Sequence, residues 1–245
     1  MNMTAPALID THCHVDLHPD PAAIVAELEQ QQIYTIAVTN TPSVFPHMEA
    51  FTKGSKYVRA AVGLHPQLAA QRHRELSQMW EYLHQTRYVG EIGLDYVTKD
   101  EENRKKQRQV FDQILTHCAD HGDKILTVHS RRAAKDVISA IGDDFVGRVV
   151  LHWYSGSLRE LNRAIEYGLY FSINAAMLKS KSGQRIVDRI PKDKLLIETD
   201  APFISRHEAS AKQTLATIQL LSIHWGLSTT AVRQIVYDNF RHLVG

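Results

Sequence analysis

Tyr88-Val89-Gly90-Glu91-Ile92-Gly93-Leu94 is a short apolar run, and a few residues later Asp100-Glu101-Glu102 opens a long amphipathic segment. The acids suit the positive end of a helix. Phe111, Ile114, Leu115 and Cys118 then fall at i, i+3, i+4 and i+7, one apolar stripe, and Gly122 can end the segment. The unit reads strand, loop, helix. The same alternation recurs on both sides of it. Strands are expected over residues 7–14, 33–40, 57–64, 88–94, 125–129, 149–153, 169–174 and 195–199. Helices are expected over 21–31, 44–53, 74–85, 101–121, 131–141, 158–167, 184–190 and 209–225, and one more follows the cap candidate Ser228. Strands each followed by a helix form a parallel sheet, because right-handed crossovers return each strand beside the one before. Eight repeats predict an α/β fold closed as a (β/α)8 TIM barrel. An open doubly wound sheet is the alternative, but neither GxGxxG nor a P-loop occurs, and Gly90-Glu91-Ile92-Gly93 is too short for either. No Gly-, Ser- or Pro-rich linker divides the 245 residues. Residues 1–245 are therefore expected to be one domain, a length common for such barrels.

The first strand ends in Asp10-Thr11-His12-Cys13-His14. Alternation along a strand puts Asp10, His12 and His14 on one side and Thr11 and Cys13 on the other, so two imidazoles converge. Imidazole is a common ligand of divalent metals, although a His-x-His tripeptide in a chain of 14 histidines is weak evidence alone. Barrel active sites collect at the C-terminal ends of the strands. The polar residues at those ends are His12 and His14 on strand one, Glu91 on strand four, His129 on strand five, His152 on strand six and Asp200 after strand eight, with His65 after strand three. Four imidazoles and two carboxylates are about what two adjacent ions need if one carboxylate bridges them at ~3.5–4 Å. Arg131, two positions after His129, points the same way and could contact a phosphate oxygen.

These residues also carry a resemblance. Asp-Thr-His-Cys-His at 10–14, Ala-Val-Gly-Leu-His-Pro at 61–66, Val-Gly-Glu-Ile-Gly-Leu-Asp-Tyr at 89–96, Val-His-Ser-Arg at 128–131, Leu-His-Trp-Tyr-Ser-Gly at 151–156 and Glu-Thr-Asp-Ala-Pro-Phe at 198–203 resemble, in order, the successive motifs of the TatD family. These are metal-dependent deoxyribonucleases of the amidohydrolase superfamily, and Asn239 stands near the family's C-terminal Asn. The resemblance implies two divalent ions (Zn, Mn or Mg), the first on His12, His14 and Asp200, the second on His129 and His152, with Glu91 as the bridge. It implies that His65 meets the scissile phosphate. Asp200 suits a second role as proton acceptor for the attacking water. The implied activity is phosphodiester hydrolysis, 3′ to 5′ on single-stranded DNA or nucleic-acid ends.

Two features depart from the common family pattern. Trp153-Tyr154 replaces a Cys-Phe pair, and after Pro202 the chain passes through Phe203-Ile204-Ser205-Arg206-His207-Glu208 straight toward a helix, without the longer loop of many relatives. Together with residues 33–43, the short connection is similar to the QatD branch, the TatD-like component of the Qat anti-phage system, which implies partner proteins of a defence complex. A hydrolase of amide, lactone or small phosphoester bonds is the rival within enzymes, because this barrel serves all of them. A scaffold subunit is the rival outside enzymes.

Net charge is +1, with 44% hydrophobic and 22% charged residues. That balance argues against a wide nucleic-acid-binding face and limits such contact to the neighbourhood of a site. No apolar run is long enough to span a membrane, no signal segment opens the chain, and Cys13 and Cys118 are the two cysteines; a cytoplasmic protein with reduced thiols is expected. His117, Cys118 and His121 imitate a helical metal motif, but Cys118 belongs to the apolar stripe of a helix outside the barrel. Arg104-Lys105-Lys106 reads as a solvated helix face, while Lys179, Lys181 and Arg185 follow strand seven on the site side.

Overall fold

The computed structural model describes residues 6–204 and 210–245. Among the described residues eight parallel strands alternate with helices. They are β1 (Leu8–Cys13), β2 (Ile33–Ala37), β3 (Val58–Ala60), β4 (Tyr88–Gly93), β5 (Ile125–His129), β6 (Arg148–His152), β7 (Tyr170–Ile173) and β8 (Leu195–Ile197). Regular pairing runs β1-β2-β3 and β4-β5-β6-β7-β8. Two seams join these sheets. At one, Val62 N–H donates to Tyr88 O (3.1 Å) and Gly90 N–H to Val62 O (2.9 Å); at the other, Asp200 N–H donates to His12 O and His14 N–H to Ala201 O, both at 2.9 Å. The sheet closes on itself, as the eightfold alternation requires.

Around it lie α1 (Pro21–Gln30), α2 (Phe45–Thr52), α3 (Ala69–Arg72), α4 (Leu76–Tyr82), α5 (Glu101–His121), α6 (Ala134–Ile141), α7 (Leu158–Glu166), α8 (Ala175–Leu178), α9 (Lys181–Arg189), α10 (Ser210–Trp225) and α11 (Thr229–Val244). α5 matches its expected bounds because its ends are chemically marked. The Asp100 carboxylate accepts from the Glu102 and Asn103 amides, and Gly122 closes the helix at φ +73. Its stripe, Val110, Phe111, Ile114, Leu115 and Cys118, is buried, each large side chain contributing about 1.5–3 kcal/mol relative to exposure. Both cysteines are buried free thiols. Among the described residues no helix is long and apolar enough to cross a membrane.

Several expected bounds shift. Strand pairing of β3 stops at Ala60, because the backbone of residues 61–64 instead turns into the seam. There a Cβ on Gly63 would stand 2.3 Å from Glu91 N and 2.4 Å from Thr39 O. The helix expected over 74–85 shortens to α4, entered through a 3-10 turn (His73–Glu75), and α3 before it was not anticipated. α6 starts three residues later than expected, since Ser130–Ala133 form a turn with Arg132 at φ +58. α8 was not anticipated; the Asn174 side chain caps it by accepting from the Ala176 and Met177 amides. Residues 205–209, with the first residue expected for α10, lie outside the described residues. Asn239 sits at the far end from the strand-end residues, donating to Lys192 O (2.6 Å) and Leu195 O (2.7 Å), and so pins α11 to the entry of β8.

Candidate metal centre

The C-terminal ends of the strands meet in one mouth. His12 Nδ1 lies 2.8 Å from the Thr127 hydroxyl on β5, which leaves its Nε2 open. That atom stands 3.3 Å from His14 Nε2, 3.6 Å from Glu91 Oε2 and 3.7 Å from Asp200 Oδ1. His14 Nε2 in turn stands 3.2 Å from Glu91 Oε2 and 3.6 Å from Asp200 Oδ1. The other Glu91 oxygen faces a different pair. Oε1 lies 2.7 Å from His129 Nδ1 and 3.0 Å from His152 Nε2, which are 3.4 Å apart. Between the sets the rings of His12 and His152 stack, centroids 3.8 Å apart. Glu91 therefore has one oxygen in each set.

Strand alternation alone does not explain His14. β1 ends at Cys13, and His14 leads into a 3-10 turn (Val15–Leu17). The seam aims it instead, through its amide bond to Ala201 O. Asp200 reaches the same point from a left-handed backbone, φ +50, a conformation that costs a non-glycine residue roughly 1–2 kcal/mol.

Ligands about 2.1 Å from one ion at tetrahedral angles stand about 3.4 Å apart. The separations of the His12, His14, Glu91 and Asp200 atoms fit that spacing. Burial, aided by the charge on His152, holds the His12 ring well below the usual imidazole range and therefore neutral. Burial opposes charge on Glu91, yet the surrounding imidazoles keep its carboxyl well below the usual carboxylate range. Burial opposes charge on His14, His129 and His152, yet the carboxylates of Glu91, Asp95, Asp200 and Glu198 around them hold these rings above the usual imidazole range; a divalent cation would take the place of those protons on the same nitrogens. His12, His14 and Asp200 form one group of metal-capable atoms, and His12, Glu91 and His152 another; His65, Glu91 and His129 form a third. Imidazole and carboxylate donors suit Zn²⁺ or Mn²⁺ better than Mg²⁺.

His65 accepts the Gln67 amide at Nδ1 (3.2 Å), so its proton sits on Nε2, which points into the mouth 3.6 Å from Glu91 Oε1. Burial pushes the ring down to about 4 and keeps it a neutral donor. Arg131 is exposed in the turn after β5 and lines the same cavity. Lys179, Lys181 and Arg185 are exposed and do not line it. Arg104 is occupied by Thr98 O and Tyr96 O. Cys118 is core, and His117 stacks on Trp80 with centroids 3.8 Å apart.

Four supporting residues escaped the strand-end reading. Asp95 Oδ2 lies 3.0 Å from His129 Nε2 and is braced by Gln67. Thr127 holds His12, and Asp10 ties β1 to β8 by accepting from the Thr199 amide (3.0 Å) and hydroxyl (2.6 Å). Glu198, fully buried, accepts from Ser172 and Asn174 and stands 3.6 Å from His152 Nδ1. A signal existed for some of these: Thr127 shares the face of His129, and Glu198 lies two residues before Asp200. Such carboxylate–imidazole partners orient ligands. Replacing Glu198 with Gln is accordingly expected to weaken metal affinity roughly 10–100-fold, read by competition with a chelating dye. Unchanged affinity would mean that His152 is oriented by other contacts.

A closed parallel barrel with buried histidines and carboxylates converging at its C-terminal mouth defines the class of metal-dependent barrel hydrolases. Comparison with known proteins narrows the class. The family model described as "TatD related DNase" matches residues 9–245, and the chain belongs to this TatD family of metal-dependent hydrolases. It is 27% identical over 218 residues to the uncharacterized metal-dependent hydrolase YabD of Bacillus subtilis, covering 84% of each chain. It is 28% identical over 207 residues to the uncharacterized metal-dependent hydrolase YjjV of Escherichia coli, covering 79% of each. The crystal structure of the E. coli TatD homologue YjjV superposes with a TM-score of 0.85 over 96% of this chain and 97% of that one, at 24% identity.

Proposed function

We propose that this chain hydrolyses phosphodiester bonds of single-stranded DNA, removing nucleotides from the 3′ end, with two divalent ions held by His12, His14 and Asp200 on one side and His129 and His152 on the other, bridged by Glu91. The observation that carries the reading is the division of Glu91, with Oε2 toward one histidine pair and Oε1 toward the other. Bound divalent ions would supply Lewis acidity, acidifying water and neutralising charge on the phosphoryl oxygens.

The chain's own groups do the rest. With Oδ1 turned toward His12 and His14, the second oxygen of the Asp200 carboxylate would be left to accept a proton from the attacking water. His65, protonated at Nε2, offers a neutral hydrogen bond to a phosphoryl oxygen. The Arg131 guanidinium adds a charge-assisted one at the rim. A mouth inside a closed barrel admits an unpaired strand end more readily than a duplex. We further propose a cytoplasmic role in anti-phage defence beside partner proteins, supported by the likeness of residues 33–43 and of the short connection after Pro202 to the QatD branch.

The deciding experiment strips the protein of metal and restores Mg²⁺, Mn²⁺ or Zn²⁺ in turn over single-stranded DNA labelled at either end. Stepwise shortening from the 3′ end that requires metal is expected. DNA left intact under every ion, with lactones, amides or small phosphoesters turned over instead, would replace the nuclease with the small-molecule reading.

A further inference from the structure

The cavity above the candidate centre encloses about 850 Å³, and its walls exceed what water and a phosphodiester require. Leu17, Leu68, Trp153 and Phe203 line it together with the polar groups. Phe203 is the most telling. It is 62% exposed although it stands two residues after the buried Ala201, and its ring stands at 89° to the His14 imidazole with centroids 5.1 Å apart. Leu17, 44% exposed, flanks the cavity from the β1 side. Phe203, Leu17, Leu68 and Trp153 together give the cavity an apolar wall beside its polar groups, the composition of a ligand site.

Arg131 enters from the end of β5, three strands round the barrel from β8. Its side chain has no hydrogen bond or ion pair among the described residues. The cavity thus presents a free cation on one side, an aromatic plane on the other, and the candidate ligands between them. That order matches a nucleotide unit, with phosphate at one end and a flat base at the other.

We propose that Phe203 is the stacking face of a nucleobase subsite that receives the terminal base of a DNA strand, with Arg131 on a neighbouring phosphate. The inference rests on the nuclease reading and deepens it. Stacking tolerates any base, because every base has a π face. A base still stacked and paired in a duplex is withheld from the ring, so the subsite selects for an unpaired end without reading sequence.

The test uses metal-loaded protein and a short strand that ends at its 3′ side in 2-aminopurine, with a non-hydrolysable phosphonate as the terminal linkage. Binding to the native chain is expected to quench the fluorescence. Phe203→Ala should abolish the quenching and weaken binding about tenfold, within the range of one lost base stack, whereas Phe203→Trp should retain both. A strand whose last nucleotide lacks a base should bind the native chain and Phe203→Ala equally. Unaltered quenching in Phe203→Ala, or an equal loss on the abasic strand, would overturn the subsite while hydrolysis of ordinary strands kept the nuclease reading intact. Failure of the native chain to bind or hydrolyse any strand would overturn both.

Discussion

Glu91→Gln is expected to reduce hydrolysis by at least about a thousandfold, about 4 kcal/mol of transition-state stabilisation at 1.36 kcal/mol per factor of ten. The side chain keeps its size, so the barrel should fold with an unchanged circular dichroism spectrum. What changes is charge and donor character. Each Glu91 oxygen now faces imidazole nitrogens, Oε2 those of His12 and His14 and Oε1 those of His129 and His152. Glutamine replaces one of these oxygens with an NH2 group that cannot ligate a cation, and it removes the negative charge that balances the buried rings. Metal content by elemental analysis should therefore fall together with activity. Full metal content with lost activity would remove Glu91 from the ligand set and leave it a role in the chemistry alone.

Gly93→Ala should damage the fold itself. Gly93 closes β4 at φ +128, a conformation that side chains rarely adopt, and a Cβ there would stand 2.1 Å from His129 O. The clash is with backbone on the neighbouring strand, so no rotamer change relieves it. A destabilisation of about 3 kcal/mol or more is expected, an apparent Tm lower by roughly 6–12 °C in a chain of this size, measurable by differential scanning fluorimetry. The displaced carbonyl belongs to a candidate ligand, so metal affinity should fall as well. A Tm within a degree of the native value would mean that β4 and β5 can separate locally without cost.

The alternation of strand and helix was legible because it rests on local periodicities, two residues for a pleat and 3.6 for a helix, and on local punctuation such as Asp100 and Gly122. The candidate ligands were legible for a related reason: His12, Glu91, His129, His152 and Asp200 stand at or beside the point where an apolar run stops. Each is a neighbour in sequence of the element that carries it. Thr127 and Glu198 carried a weaker mark, each two positions before a candidate ligand, but nothing local marked the contacts they make. Thr127 meets His12 across 115 positions and Thr199 meets Asp10 across 189, pairings created when the sheet closes. The same holds for His14, aimed by Ala201 and not by the pleat of β1. Phe203, in sequence one apolar residue after a proline, becomes an exposed ring on the cavity wall only in three dimensions.

The order of elements and the chemical inventory at the strand ends were thus determined by the sequence itself, since both depend on residues within a few positions of one another. Which nitrogen of each imidazole stays open, which Glu91 oxygen faces which pair, and what surface the cavity offers a substrate were decided only by the tertiary structure. Those properties depend on distances between separate strands, and barrel closure sets them.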